Sequence, residues 1–232
     1  MIRQTNKQTI LIYHSTMRKS LYTLIALAFP LFLKAQDSGK NFQLGFTASP
    51  NLGWARYSNA SSEYSPNGAK IGFTYGLIGD FGFSQNYFFS TAFTITSINV
   101  PVEFKSGTTT VESSMDIQYI EVPLTIKLKT NTNAGKCFYG QFGVSAGINI
   151  KGKSDIKTLN ANTVSDNLKN QKLDNDYIGR LGLVAGAGVQ WDYNENAKFI
   201  TGLTFNNGFT DILSSKPSVK NSYLALTLGV MF

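Results

Sequence analysis

The sequence predicts an all-β chain, an eight-stranded antiparallel up-and-down transmembrane β-barrel, on three observations. Eight segments alternate in polarity with period two, their two faces reverse the composition of a soluble barrel, and the connections between them alternate short and long. Successive side chains of a strand point to opposite faces, so period two reads as a sheet with two distinct sides. From Phe42 onward no helical periodicity competes with that reading.

The segments are 42–57, 68–83, 87–104, 115–130, 137–152, 177–193, 197–212 and 221–232, separated by turn-rich stretches. The second is rich in glycine from Gly72 to Gly82, and the third carries Tyr87 and Phe89 at its start. In the fourth, Ile120, Val122, Leu124, Ile126 and Leu128 face one way, opposed by Tyr119, Glu121, Pro123, Thr125 and Lys127. Pro123 removes a ladder donor, which predicts a bulge or local bend there. In the fifth, Phe138, Phe142, Val144, Ile148 and Ile150 oppose Tyr139, Gln141, Ser145, Asn149 and Lys151. In the sixth, Leu181, Leu183, Val189 and Trp191 oppose Arg180, three glycines, Gln190 and Asp192. The seventh has Phe199 near its start. In the eighth, Leu224, Leu226, Leu228, Val230 and Phe232 share one parity, with Tyr223, Ala225, Thr227, Gly229 and Met231 on the other.

One face is therefore Leu, Ile, Val and Phe, with Tyr, Trp and Phe near strand ends, as in an aromatic girdle at headgroup depth. The other face is small and polar, with single charges at Asp80, Glu121, Lys127, Lys151, Arg180 and Asp192. A water-soluble barrel needs an apolar interior, so this sheet is inside-out and fits a bilayer. Each segment exceeds the roughly 9–11 residues that a tilted strand needs to cross, so strands are expected to project beyond the outer surface. The links Ser84–Asn86, Asn131–Lys136 and Asn194–Asn196 are short; the longest runs from Gly152 to Asp176. That alternation fits a barrel with both termini on the periplasmic side of an outer membrane and its longer loops outside. At eight strands the lumen is filled by side chains. The six inward charges should pair there: Glu121 with Lys127 or Arg180, and Asp80 or Asp192 with a neighbouring base.

The front of the chain reads as a secretory signal. Met17-Arg18-Lys19 supplies a basic start, Leu21–Leu33 an apolar run, and Ala35 a small residue for cleavage, leaving 36–232 as the barrel domain. The run is too short for a spanning helix, and Met17 is the expected initiator. Five of the 21 basic residues and no acid lie in 1–35, so residues 36–232 carry 16 bases against 14 acids, net +2 rather than +7. The basic balance belongs to the signal and gives no case for a nucleic-acid partner.

Two scarcities bound the chemistry. The one histidine, His14, lies in the signal, and Cys137 is the one cysteine. Zinc-type sites and Ser-His or Cys-His nucleophile pairs have no raw material, so no catalytic residue, cofactor or metal is expected. Cys137 reads as a small apolar residue.

The stretch Tyr119-Ile120-Glu121-Val122-Pro123-Leu124-Thr125-Ile126-Lys127 resembles a hallmark strand of the PorT-like outer-membrane β-barrel family of Bacteroidetes-type bacteria, barrels of the OmpA/OmpX kind. The Ala35-Gln36 junction, the glycine-rich second and sixth segments and the final aromatic strand are similar too. The resemblance implies an eight-stranded outer-membrane barrel. One branch of that family is tied to protease export through a dedicated secretion pathway; no functional residue carries over. The expected role is thus a structural or interaction barrel whose outer loops, above all Gly152–Asp176, meet an envelope protein partner. Its other partners would be outer-membrane lipid and the barrel-assembly machinery, which would read the strand ending at Phe232. The alternatives are an accessory component of a secretion assembly and a lipocalin-like ligand-binding barrel; a lipid-modifying enzyme has no histidine to work with.

Overall fold

The computed structural model describes residues 42–57, 64–160, 163–172, 179–194, 197–212 and 218–232. The chain divides into two compact units, Met1–Phe42 and Gln43–Phe232, and apart from Phe42 the described residues all belong to the second. The expected signal segment 1–35, including the start at Met17, lies outside the described residues.

The described residues form ten strands: β1 (Phe42–Tyr57), β2 (Tyr64–Pro66), β3 (Ala69–Gly82), β4 (Tyr87–Ser106), β5 (Thr109–Lys129), β6 (Lys136–Asn160), β7 (Thr163–Lys172), β8 (Gly179–Asp192), β9 (Lys198–Asp211) and β10 (Val219–Met231). Eight of them follow one another in the order β4-β3-β1-β10-β9-β8-β6-β5, and pairing of β4 with β5 closes the ring. The first and last strands pair antiparallel, Gly45 opposite Met231 through to Tyr57 opposite Val219. Closure leaves the ring without a bare edge, the condition for a sheet in lipid. The two strands outside the ring, β2 and β7, pair with β4 and β6.

The parity of each segment becomes the inside and outside of the ring. Outward on β10 are Leu224, Leu226 and Leu228, all exposed, and inward are Tyr223 and Ala225, both buried. Outward on β5 are Leu124, Ile126 and Leu128; inward are Glu121, Thr125, Lys127 and Lys129. Large apolar side chains on the outside and Thr, Ser, Asn and charge within are the expected inversion.

Three features depart from the sequence reading. The long links after the third and fifth segments are largely strand. β4 and β5 run on to meet in a two-residue turn, Gly107-Thr108, with Ser106 opposite Thr109 and Gly107 at φ 59°. A primed turn of this kind matches the strand twist and needs the positive φ that glycine supplies. The expected Gly152–Asp176 loop is in large part the end of β6 and the whole of β7. Second, Pro123 causes no register shift. It stays opposite Ser145 on β6, while the ladder to β4 steps from Leu124–Thr91 to Glu121–Thr94 without it. The bulge lies instead at the Gln118/Tyr119 step, where Asn149 and Lys151 are the partners and Ile150 is left over.

Third, the interior is not polar throughout. At the end bearing the β4–β5 turn, Ala55, Ile98, Val100, Met115, Ile117, Tyr119, Ile212 and Val219 form a buried apolar cluster. Beside it the outward positions of β4 and β5 are the polar Ser97, Asn99, Asp116 and Gln118, so the ordinary apolar-in rule returns there.

Candidate functional site

Two buried charge clusters occupy the lumen. In the lower one, nearer the short turns, Asp80 on β3 is fully buried and takes Lys127 Nζ at 2.8 and 3.0 Å and Lys129 Nζ at 2.8 Å. Both lysines come from alternate positions of β5, which places them on the same inner face. Ser90 donates to Asp80 at 2.6 Å, and Lys129 reaches Gln43 at 3.0 Å. Aromatic rings flank the ammoniums: Tyr139 lies 5.1 Å from Lys127 and Phe88 4.2 Å from Lys129.

In the upper cluster Arg180 on β8 donates to Glu121 on β5 at 2.5 Å, with both side chains 2% exposed. Arg180 Nε also donates to Asn221 at 2.9 Å, and Tyr223 donates to the second Glu121 oxygen at 2.9 Å. The guanidinium sits between Tyr119 and Tyr223, 5.8 and 5.3 Å from their centroids. Buried charges persist when they are paired and hydrogen-bonded; each charge here has an ionic partner, while Arg180 Nη2 is buried without a hydrogen-bond partner.

Between the clusters lies a cavity of about 110 Å³. Hydroxyls of Thr47, Ser49, Thr74, Ser90, Thr125 and Thr204 line it, with Glu121 and Lys127 in its walls. Asn206 reaches it too, its amide nitrogen bonded to Ser145 at 2.9 Å and its Oδ1 left without a protein partner. Ile78, Val184 and Ile200 also line it, so its wall is mixed, apolar side chains alternating with hydroxyls.

Of the six charges expected inside, Asp80, Glu121, Lys127 and Arg180 meet in these two clusters. Lys151 and Asp192 do not join them. The bulge at Ile150 reverses parity along β6, so Lys151 is exposed outside the ring while Ser154, three residues on, is buried. Asp192 keeps its inward parity but stands at the strand end, past the last enclosed rung. There it is exposed and pairs with Lys198 across β8 and β9 at 3.3 Å. Lys129 was missed, although it lies two residues beyond Lys127 on the same face and that spacing was there to read.

Beyond the ring, β4, β5 and β6 continue as a projecting sheet widened by β2 and β7. Every residue of β7 is exposed, and among the described residues β7 pairs only with β6. No group of three or more His, Cys, Asp or Glu side chains among the described residues could hold a metal.

Solved structures similar to this chain are outer-membrane barrels. The outer membrane protease OmpT of Escherichia coli aligns at 7% identity and TM-score 0.50 over 84% of this chain and 97% of its own. Neisserial surface protein A aligns at 14% and 0.46 over 82% and 95%. The attachment invasion locus protein Ail of Yersinia pestis aligns at 14% and 0.41 over 83% and 99%. At these identities the likeness is one of fold. Comparison with curated proteins gives no match. The model of the outer membrane protein beta-barrel domain matches residues 34–214, most of the chain and seven of the eight ring strands, and the chain belongs to that family.

Proposed function

We propose that this outer-membrane barrel is a non-enzymatic anchor that presents a sheet edge to a protein partner at the cell surface. The observation that carries it is β7, ten exposed residues with one edge paired to β6 and the other open among the described residues. An open edge offers a row of backbone donors and acceptors that an extended peptide can complete. The filled lumen favours an anchoring role over transport: two ion clusters and an apolar cluster occupy it, with a cavity of about 110 Å³ between the ion clusters. Both termini then lie on the periplasmic side, beside the short turns, and the projecting sheet lies outside.

The PorT-like resemblance belongs with the fold rather than with a secretion role. Its motif residues Tyr119, Glu121 and Lys127 are all spent inside the lumen, on Asn221, Arg180 and Asp80. An accessory place in a secretion assembly would therefore have to come from the projecting sheet.

The test uses the chain's one cysteine to advantage. In a Cys137→Ser background, Asn167→Cys on β7 should react with a membrane-impermeant maleimide on intact cells. Labelling only after lysis would put β7 in the periplasm and end the reading.

A further inference from the structure

Resting on that reading of the barrel's orientation, we propose that Lys151, Lys153 and Lys172 form a binding patch for the phosphates of anionic lipid headgroups, where the projecting sheet leaves the membrane. The bulge at Ile150 turns Lys151 outward directly beyond Ile148 and Ile150, which are 57% and 48% exposed on the lipid face. Lys153 and Lys172 are direct cross-strand partners on β6 and β7. Like charges so placed destabilise a sheet unless something between them is negative. Among the described residues none of the three makes an ion pair, and Lys153 donates to Asn170 Oδ1 at 3.1 Å.

Among the described residues, the acids nearby do not neutralise the group. Asp116 faces Lys153 from β5, one carboxylate among three ammoniums, and Asp155 is engaged by the Asn170 amide at 2.7 Å. The opposite rim is built differently: Lys198 is paired with Asp192 at 3.3 Å, and Lys136 lies 4.8 Å from the Trp191 ring. A lysine at a membrane surface lays its stem on apolar atoms and lifts its ammonium to headgroup depth. A phosphate there can accept from two or three ammoniums at once.

The experiment is native mass spectrometry of the folded protein released from detergent, with phosphatidylglycerol and phosphatidylcholine as probes. The wild type should retain phosphatidylglycerol more tightly, and K151Q/K153Q/K172Q should lose that preference by roughly five-fold per lysine, about 1 kcal/mol each. K136Q/K198Q at the other rim should keep it. Equal preference in the triple variant, equal loss in the rim control, or full competition by inorganic phosphate would each overturn the proposal. Heat-modifiable gel mobility, read on every variant, reports the folded barrel separately. A failed lipid preference in a heat-modifiable protein therefore removes the patch and leaves the barrel standing.

Discussion

At the residue scale the interior is governed by what each charge has for company. Glu121 and Arg180 are one-to-one partners, so Glu121→Gln or Arg180→Met strands a buried charge and should cost about 3–5 kcal/mol. Equilibrium urea unfolding in lipid vesicles, followed by tryptophan fluorescence, measures it. The joint change to Glu121→Met with Arg180→Met should recover much of the loss, because no charge is then left over. Asp80 differs, since it holds two lysines. Removing either one leaves a complete pair, so Lys127→Met or Lys129→Met should cost no more than about 1 kcal/mol, whereas Asp80→Asn abandons two ammoniums and should cost several-fold more. Equal losses from all three variants in the same assay would mean that the cluster is solvated rather than sealed.

At the element scale the small residues of the inner face make room for the large ones. Gly188 and Gly202 are cross-strand partners on β8 and β9, beneath Tyr139 of β6. A Cβ at Gly188 would stand 2.7 Å from the Tyr139 hydroxyl, and one at Gly202 closer still. Gly202→Ala should therefore destabilise by about 1–3 kcal/mol through overpacking, with no loss of heat-modifiable mobility at low temperature; the shift in unfolding midpoint tests it. The bulge at Ile150 is the other decisive element feature. One unpaired residue on β6 reverses every later side chain, carrying Lys151 out of the lumen and Ser154 into it.

For the whole molecule the prediction concerns permeation. Lumen contents stack as an apolar cap, the Glu121–Arg180 pair, a small cavity of mixed lining and the Asp80–Lys127–Lys129 cluster. The barrel reconstituted in planar bilayers should show no sustained channel current, and stable pore-sized conductance would contradict the proposed plugging of the lumen. The projecting sheet and the ring also divide the labour of the fold. In the ring lipid covers the outside and polar side chains fill the inside; past the lipid the relation inverts, and Ile98, Val100 and Ile117 supply an ordinary core.

The sequence by itself determined the strand class, the eight ring segments apart from the extensions of β5 at its start and β6 at its end, and which face meets lipid. Period-two alternation is a local property, and the apolar rows advertise the solvent they meet. It also pointed to four of the buried charges, because parity alone assigns a side chain to the lumen. The tertiary structure decided everything that parity cannot carry. Polar stretches such as Glu112–Ser114 and Thr163–Lys172 have no apolar face, so they read as loop until a neighbouring strand pairs with them. The partner of each charge depended on which strands became neighbours on closure, and Lys151 changed sides for a single extra residue. A bulge leaves almost no mark in composition, yet it moves a cation from the interior to the membrane surface, since in a sheet one step of register is a change of face.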